Sequence, residues 1–253
     1  MTHDSSDRTE RVEKFVQYMN NVDRDLSHPF MTPKDAATLI LIDRSGPMPK
    51  VLLGKRHARH KFMPGKFVFP GGRTDPADSR IRTATGLHPD EETRLRAGPG
   101  RTSSTRARAI ALSAIRETYE EAGLLIGRKG AFSTPRPDWR GFADYQVQPS
   151  LEALRFIARA ITPPGRVRRY DTRFLGTWRE DVAVELPAGG PTNELEELVW
   201  LPLGQARQAD IPAITRMILE ELEKRLAIDS DLRPGMAVPF FHMVGNRFVR
   251  DLL

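Results

Sequence analysis

The chain has 253 residues, 39% of them hydrophobic and 28% charged, which suits one globular domain with a real core and an attached lobe. It has no cysteine, which excludes disulfides, zinc–thiolate centres and a cysteine nucleophile. The net charge of +6 suits anionic ligands, but no basic stripe interleaved with aromatics, no zinc finger and no RNA-recognition motif is visible, so small phosphorylated metabolites rank above nucleic acid as partners.

No apolar run is long enough to span a bilayer, and the polar start lacks a secretory leader's apolar stretch. A cytoplasmic protein without membrane contact is expected. Its oligomeric state is not legible.

Met1 to about Thr9 is polar and expected to lack fixed structure. Val12, Phe15, Val16 and Met19 stand at helical spacing, which predicts a short helix over Glu10 to Met19. His28 to Lys34 reads as a proline-bounded linker. Ala36 to Ile42 is an apolar strand, Asp43 to Lys50 a turn, and Val51 to Leu53 the return strand. His57 to Lys66 is a basic loop, read either as a solvated surface or as a lip that meets phosphates. Phe67 to Phe69 is a buried strand that ends in the tight turn Pro70-Gly71-Gly72.

Arg73 to Arg101 is polar and loop-like, with a short acidic segment, Pro89 to Arg96, able to form a turn or two of helix. A loop of this length reads as a lid or specificity element beside the site. Ala107 to Ala122 is rich in helix formers, with cap oxygens at Ser103, Ser104 and Thr105 and Gly123 at the C-terminal cap. Leu124 to Ile126 is a short strand, and Ala131 to Gln148 is irregular. Leu151 to Ala160 reads as a helix. Arg166 to Trp178 reads as a strand with a basic start, Asp181 to Leu186 as an extension of the sheet, and Leu198 to Leu201 as another strand. Pro212 to Ile228 is amphipathic and helical, and the aromatic tail, Met236 to Val249, is expected to pack on the body.

Strands and helices mix without regular βαβ alternation, so an α+β, layered α/β/α fold is expected rather than a doubly wound sheet. The expected organisation is an N-terminal extension over 1–35 and a main domain over 36–253, with an insertion over about 79–106 and a C-terminal helix and tail over about 211–253.

Glu117, Glu120 and Glu121 fall at i, i+3 and i+4 and so share one face of the 107–122 helix. They repel one another and lie near the negative end of the helix dipole. One reading is a solvated face with an Arg116–Glu120 ion pair, at a like-charge cost of roughly a few tenths of a kcal/mol. The other is a hard divalent cation, Mg²⁺ or Mn²⁺, held by oxygen ligands and bridged to a substrate phosphate.

Pro70-Gly71-Gly72 followed by Arg116-Glu117-x-x-Glu120-Glu121-x-Gly123 resembles the signature of the Nudix hydrolases. Thr118 departs from the usual aliphatic residue. Asp78 stands where the first half of the box carries Glu, and the gap from there to Arg116 is roughly thirty residues longer than in the standard box. That insertion itself resembles a Nudix subfamily that includes the peroxisomal coenzyme A diphosphatase. The supporting segments are Phe62-Met63-Pro64-Gly65, Asp75-Pro76-Ala77-Asp78, Arg169 to Phe174 and the Glu-rich approach to Trp200, although Met63 replaces the histidine of the better-known coenzyme A signature.

The resemblance implies a Nudix-type α/β/α sandwich with a mixed sheet and an inserted loop within the box. It implies a metal-dependent hydrolase that splits a diphosphate linked to another moiety, with Glu117, Glu120, Glu121 and the Gly72 carbonyl as ligands of Mg²⁺ or Mn²⁺. Arg116 would orient Glu117. Glu117 is one candidate base, and Glu194, Glu196 and Glu197 are distal ones. Asp75 and Asp78 either replace the missing box Glu or cap the turn. Arg56, Arg59, Arg168, Arg169 and Arg173 are candidate phosphate contacts, with His57 and His60 read as solvated. The expected substrate is a small diphosphate: coenzyme A or acyl-coenzyme A, or else ADP-ribose, a dinucleotide or a nucleotide sugar. A non-catalytic nucleotide-sensing module and an RNA-directed hydrolase are the competing readings.

Overall fold

The computed structural model describes residues 3–21, 31–59, 64–100 and 102–253. In chain order the elements are α1 (His3–Asn21), β1 (Lys34–Asp43), β2 (Lys50–Arg56), β3 (Phe67–Val68), β4 (Gly71–Arg73), α2 (Pro89–Arg96), α3 (Ser104–Ala122) and β5 (Leu124–Lys129). They continue with α4 (Arg140–Asp144), β6 (Val147–Pro149), β7 (Arg155–Ile161), β8 (Tyr170–Trp178), β9 (Val182–Glu185), β10 (Leu195–Pro202), α5 (Leu203–Ala206), α6 (Ala213–Ile228), β11 (Pro239–Val244) and β12 (Arg247–Leu252). The first helix therefore begins at His3, upstream of the apolar spacing that predicts it. His60 and the Phe62-Met63 pair lie outside the described residues, as do residues 28–30 of the 28–34 linker.

Strand β1 is apolar on both faces, and each face has its own core. Ala37, Leu39 and Leu41 pack with Ile110, Ala111, Ala114 and Ile115 of α3. Ile40 and Ile42 pack with Ile218, Leu219 and Leu222 of α6 and with Val12 and Phe15 of α1. Two-sided burial is why β1 reads as an unbroken apolar run rather than an alternating one. Each fully buried Leu or Ile contributes about 1.5–3 kcal/mol by removal from water, and Leu39→Ala would cost about 2–5 kcal/mol.

The main sheet runs β10-β2-β1-β8-β7-β11-β12, with β3 paired to β2 and β4 to β1. It is mixed: β1–β8 and β7–β11 are parallel, the other pairs antiparallel. Helix α3 covers one face, α1 and α6 the other, which gives the expected α+β sandwich. A smaller antiparallel sheet, β6-β5-β9, takes up the 182–185 segment, which therefore does not extend the main sheet. The aromatic tail forms the β11–β12 hairpin, and Phe241 and Phe248 pack edge-on to Phe15.

The 151–160 segment is not a helix: 151–154 turn, and strand β7 follows from Arg155. Phe156 faces the α3 core, and Ile157, Ala158 and Ala160 the α6 core, with a bulge between Phe156 and Ala158. The bulge breaks the two-residue alternation, and a short run buried on both faces looks the same as a buried helix in sequence.

The insertion is docked on the body, away from the acidic face of α3. Within α2, Leu95 is buried, and the buried Glu91 accepts hydrogen bonds from the N–H groups of Phe156 and Gly235. Arg108 of α3 donates to the carbonyls of Ser79 and Ile81, and Arg159 donates to those of Ala97 and Pro99. Among the described residues, no helix is long and apolar enough to cross a membrane.

Candidate active site

Helix α3 starts at Ser103, whose hydroxyl accepts from the Arg106 N–H, and stops at Gly123, which takes the left-handed conformation (φ 71°). Between these caps α3 runs antiparallel to β4, so that Ser113 meets Thr74, Arg116 meets the Arg73 carbonyl, Glu117 meets Gly72 and Glu121 meets Gly71. The Pro-Gly-Gly turn and the three carboxylates, far apart in sequence, are thus laid side by side.

Gly72 is required for that contact. A Cβ built there would stand 2.4 Å from Glu117 Oε2. Gly71 donates its N–H to Glu121 Oε2 at 2.9 Å. A side chain at Gly71 would strike the Ala37 carbonyl and the Thr38 backbone at 2.6 Å.

Arg116 is the hub of the site. Its buried guanidinium reaches Asp78 (3.0 Å), Glu117 (2.8 Å) and Glu120 (2.6 Å), and donates to the Arg73 carbonyl (3.3 Å). Asp78, fully buried, also accepts from the Trp139 indole N–H at 2.9 Å. Asp78 therefore holds the inner end of Arg116, while Asp75 caps the 76–80 helical turn and pairs with Arg136.

Burial pushes all three helix carboxylates toward their protonated forms. Desolvation outweighs the Arg116 charge at Glu117, and it raises Glu120 to about 7. Glu121 is 3% exposed and rises to about 8, because burial outweighs the Gly71 hydrogen bond and, among the described residues, its cation partner is Arg56 at 4.0 Å.

Arg56 sits between Glu121 and Glu194, 3.7 Å from the latter, and its Nε is buried with no hydrogen-bond partner among the described residues. Glu194 is half-buried at the rim, close enough to raise both Glu117 and Glu121. Glu196 is held by His57 at 3.0 Å, so His57 is paired rather than free in solvent. Glu197 is exposed, opposite Lys55 across the β10–β2 pair. Of the distal acids, Glu194 is the one the fold brings to the carboxylates.

Two predicted phosphate contacts are otherwise engaged. Arg173 is fully buried and pairs with Asp35 (2.8 Å) and Asp171 (3.1 Å). Arg169 is buried and donates to the carbonyls of Thr162 and Met31. Arg173 binds its own fold because the parallel β1–β8 register sets Asp35 beside Asp171. Arg59 folds back on the His57 ring, and Arg168 is exposed.

The sequence reads Pro187 to Thr192 as a turn, which the structure has, but not its packing against the end of α3. Thr192 donates through N–H and hydroxyl to the Glu120 carbonyl, and Leu186 N–H donates to the Gly123 carbonyl. Side chains at Gly123 or Gly190 would collide with the backbone opposite. This loop satisfies the bare carbonyls at the end of α3, and its sequence signal is only the Gly189-Gly190 pair.

Among the described residues, no group of three or more acidic or histidine side chains is gathered closely enough to hold a metal ion as the side chains stand. Arg116 draws Glu117 and Glu120, and the Gly71 N–H draws Glu121. The donor set nevertheless suits a hard cation. It is all oxygen, and Glu121 is a buried carboxylate whose counter-charge stands off at 4.0 Å.

An acidic helix face laid on a Gly-Gly turn, on an α/β/α sandwich with a mixed sheet, defines a Nudix-type protein. No family model matches the chain. A Caenorhabditis elegans protein whose name places it among the nudix hydrolases, nudix hydrolase 7, is 28% identical over 181 residues, which cover 66% of this chain. The chain spans about half (51%) of the length of that relative. The crystal structure of a NUDIX hydrolase from Alicyclobacillus acidocaldarius is similar over 75% of this chain and 90% of its own, with TM-score 0.56 and 26% identity. In sequence and in fold the chain is similar to the Nudix hydrolases.

Proposed function

We propose that this protein hydrolyses the diphosphate bond of a nucleoside diphosphate linked to another moiety. The observation that supports it most is the placement of Glu117 and Glu121 against Gly72 and Gly71, with Glu120 held beside them by Arg116. Glu117, Glu120, Glu121 and the Gly72 carbonyl would hold Mg²⁺ or Mn²⁺. Bound there, the ion supplies charge neutralisation for the diphosphate and a water of lowered pKa. Arg116, locked by Asp78, orients Glu117 and Glu120. Arg56, at the mouth, is placed to meet a phosphate oxygen, for which a guanidinium is well shaped. Glu194, half-buried beside it, is the candidate that accepts the proton of the attacking water.

For the moiety, we infer coenzyme A or acyl-coenzyme A, cut to 3′,5′-ADP and 4′-phosphopantetheine. What supports it is the box insertion and the segments that resemble the coenzyme A diphosphatase subfamily. The test is an assay with Mg²⁺ or Mn²⁺ on coenzyme A, ADP-ribose, dinucleotides and nucleotide sugars, read by product identity. Turnover of coenzyme A, lost in Glu120→Gln and Glu121→Gln, is the expected result. Well-folded protein that turns over no diphosphate would contradict the reading, and RNA or DNA binding that falls steeply with salt would contradict its small-molecule form.

A further inference from the structure

An open recess of about 530 Å³ lies at the opposite end of α3, between that helix, the start of β1 and the end of β4. Pro76 and Ala109 give it an apolar wall, and Lys34, Arg73, Arg106 and Asp35 give it charge. Arg106 is committed to Asp35 by two hydrogen bonds, at 2.6 and 2.7 Å. The side chains of Lys34 and Arg73 have no hydrogen-bond or ion-pair partner among the described residues.

Behind Asp35 lies Arg173. It reaches Asp35 and Asp171 through Nη1 alone, and its buried Nε and Nη2 have no hydrogen-bond partner among the described residues. Arg159 is paired to the same Asp171. Five cations (Lys34, Arg73, Arg106, Arg159, Arg173) therefore face two carboxylates (Asp35, Asp171), a surplus of three positive charges. A surplus of one sign in a partly desolvated place is costly until an anion completes it.

We infer that this recess binds an organic phosphate, whose phosphate meets Lys34 and Arg73 and whose apolar body lies on Pro76 and Ala109. Arginine and lysine together give bidentate and point-charge contacts to such a group. Arg73 follows Gly72 directly. Arg106 stands eleven residues before Glu117, or about 16 Å along the helix. A substrate with its diphosphate at the carboxylates and a further phosphate some way along would span both sites. That extension rests on the proposed diphosphatase reading, whereas binding in the recess does not.

The test is isothermal titration calorimetry on the full chain without divalent ions, with inorganic phosphate and adenosine 3′,5′-bisphosphate as probes. The variants are Lys34→Gln and Arg73→Gln, singly and together. Both side chains are exposed, so folding should be kept, as circular dichroism would show. The control removes two exposed arginines elsewhere, Arg128→Gln with Arg140→Gln. We expect saturable bisphosphate binding, tighter than that of phosphate, weakened about tenfold or more in the double variant and within about twofold of wild type in the control. No saturable binding, no loss in the double variant, or an equal loss in the control would overturn the site. Equal affinity for the two probes would overturn the organic-phosphate assignment. Hydrolysis plays no part in this readout, so either reading can fail without the other.

Discussion

Helices α2 and α3 pack against each other and carry their charges in opposite senses. Helix α2 has Asp90, Glu91 and Glu92 in its first turn and Arg94 and Arg96 near its end, the order that the helix dipole favours. Helix α3 has no acid in its first turn and no base in its last, and it places Arg106 and Arg108 early and Glu117, Glu120 and Glu121 late. The same backbone physics acts on both. Helix α2 is arranged for stability and uses Glu91 to fasten the insertion to β7. Helix α3 works against its dipole at both ends, and at both ends the charge is only partly compensated from within the chain. Groups that cost stability and are kept together in a cleft point to a ligand.

The largest expected effect tests the acidic end. Glu120→Gln or Glu121→Gln should lower diphosphate hydrolysis by about 10²-fold or more, the size of losing one preorganised electrostatic group. An unchanged turnover number on the best substrate of the panel would reduce the inverted charge of α3 to ornament.

Arg116→Met comes next, because it leaves Asp78 buried beside Trp139 without its cation. The expected loss is about 3–5 kcal/mol of stability by chemical denaturation. The matching change in α2, Glu91→Gln, keeps an acceptor for one of the two N–H groups of Phe156 and Gly235, turns an amide NH2 toward the other, and should cost less, about 1–3 kcal/mol. If the two cost the same, the contrast between the helices fails.

Gly72→Ala drives a methyl group into the Glu117 carboxylate and should destabilise the fold by about 1–3 kcal/mol. Activity should fall much further than stability does. A proportional loss of both would make Gly72 a packing residue only.

The smallest effect is a control on ordinary electrostatics, away from α3. Asp43 accepts hydrogen bonds from Ser45 and then from Arg179, which hold its carboxyl down at about 2. A depressed folded pKa means that the stabilisation is complete above the ordinary carboxylate range and is lost as pH falls toward 2. Asp43→Asn should therefore lower Tm at pH 6 and converge with wild type near pH 2, as differential scanning fluorimetry would show. A gap that widens toward acid would reverse the sign.

Much of α3 is legible in the order of its residues. Ser103 and Gly123 announce its ends, and the spacing of its three glutamates announces its face. Strand β1 is legible as an apolar run. Strand β7 is not, because burial on both faces and a bulge erase the alternation that marks a strand. Arg169 and Arg173 look like phosphate contacts in sequence because a basic strand start says nothing of the carbonyls of Met31 and Thr162 that take up Arg169, nor of the aspartates that a parallel register sets beside Arg173. Lys34 and Arg73 carry no mark in the sequence, being single charges at strand ends. Only the packing of β1, β4 and α3 makes them neighbours. Likewise Trp139 lies in a stretch without periodicity, and its hydrogen bond to Asp78 depends on the chain's return from β5.

Calorimetric titration of Mn²⁺ into wild type and into the Glu117→Gln/Glu120→Gln/Glu121→Gln variant tests the account most directly. Saturable binding by wild type, with a rise in Tm, and none by the folded triple variant is the predicted result. Equal binding by both proteins, or none by either, would contradict it.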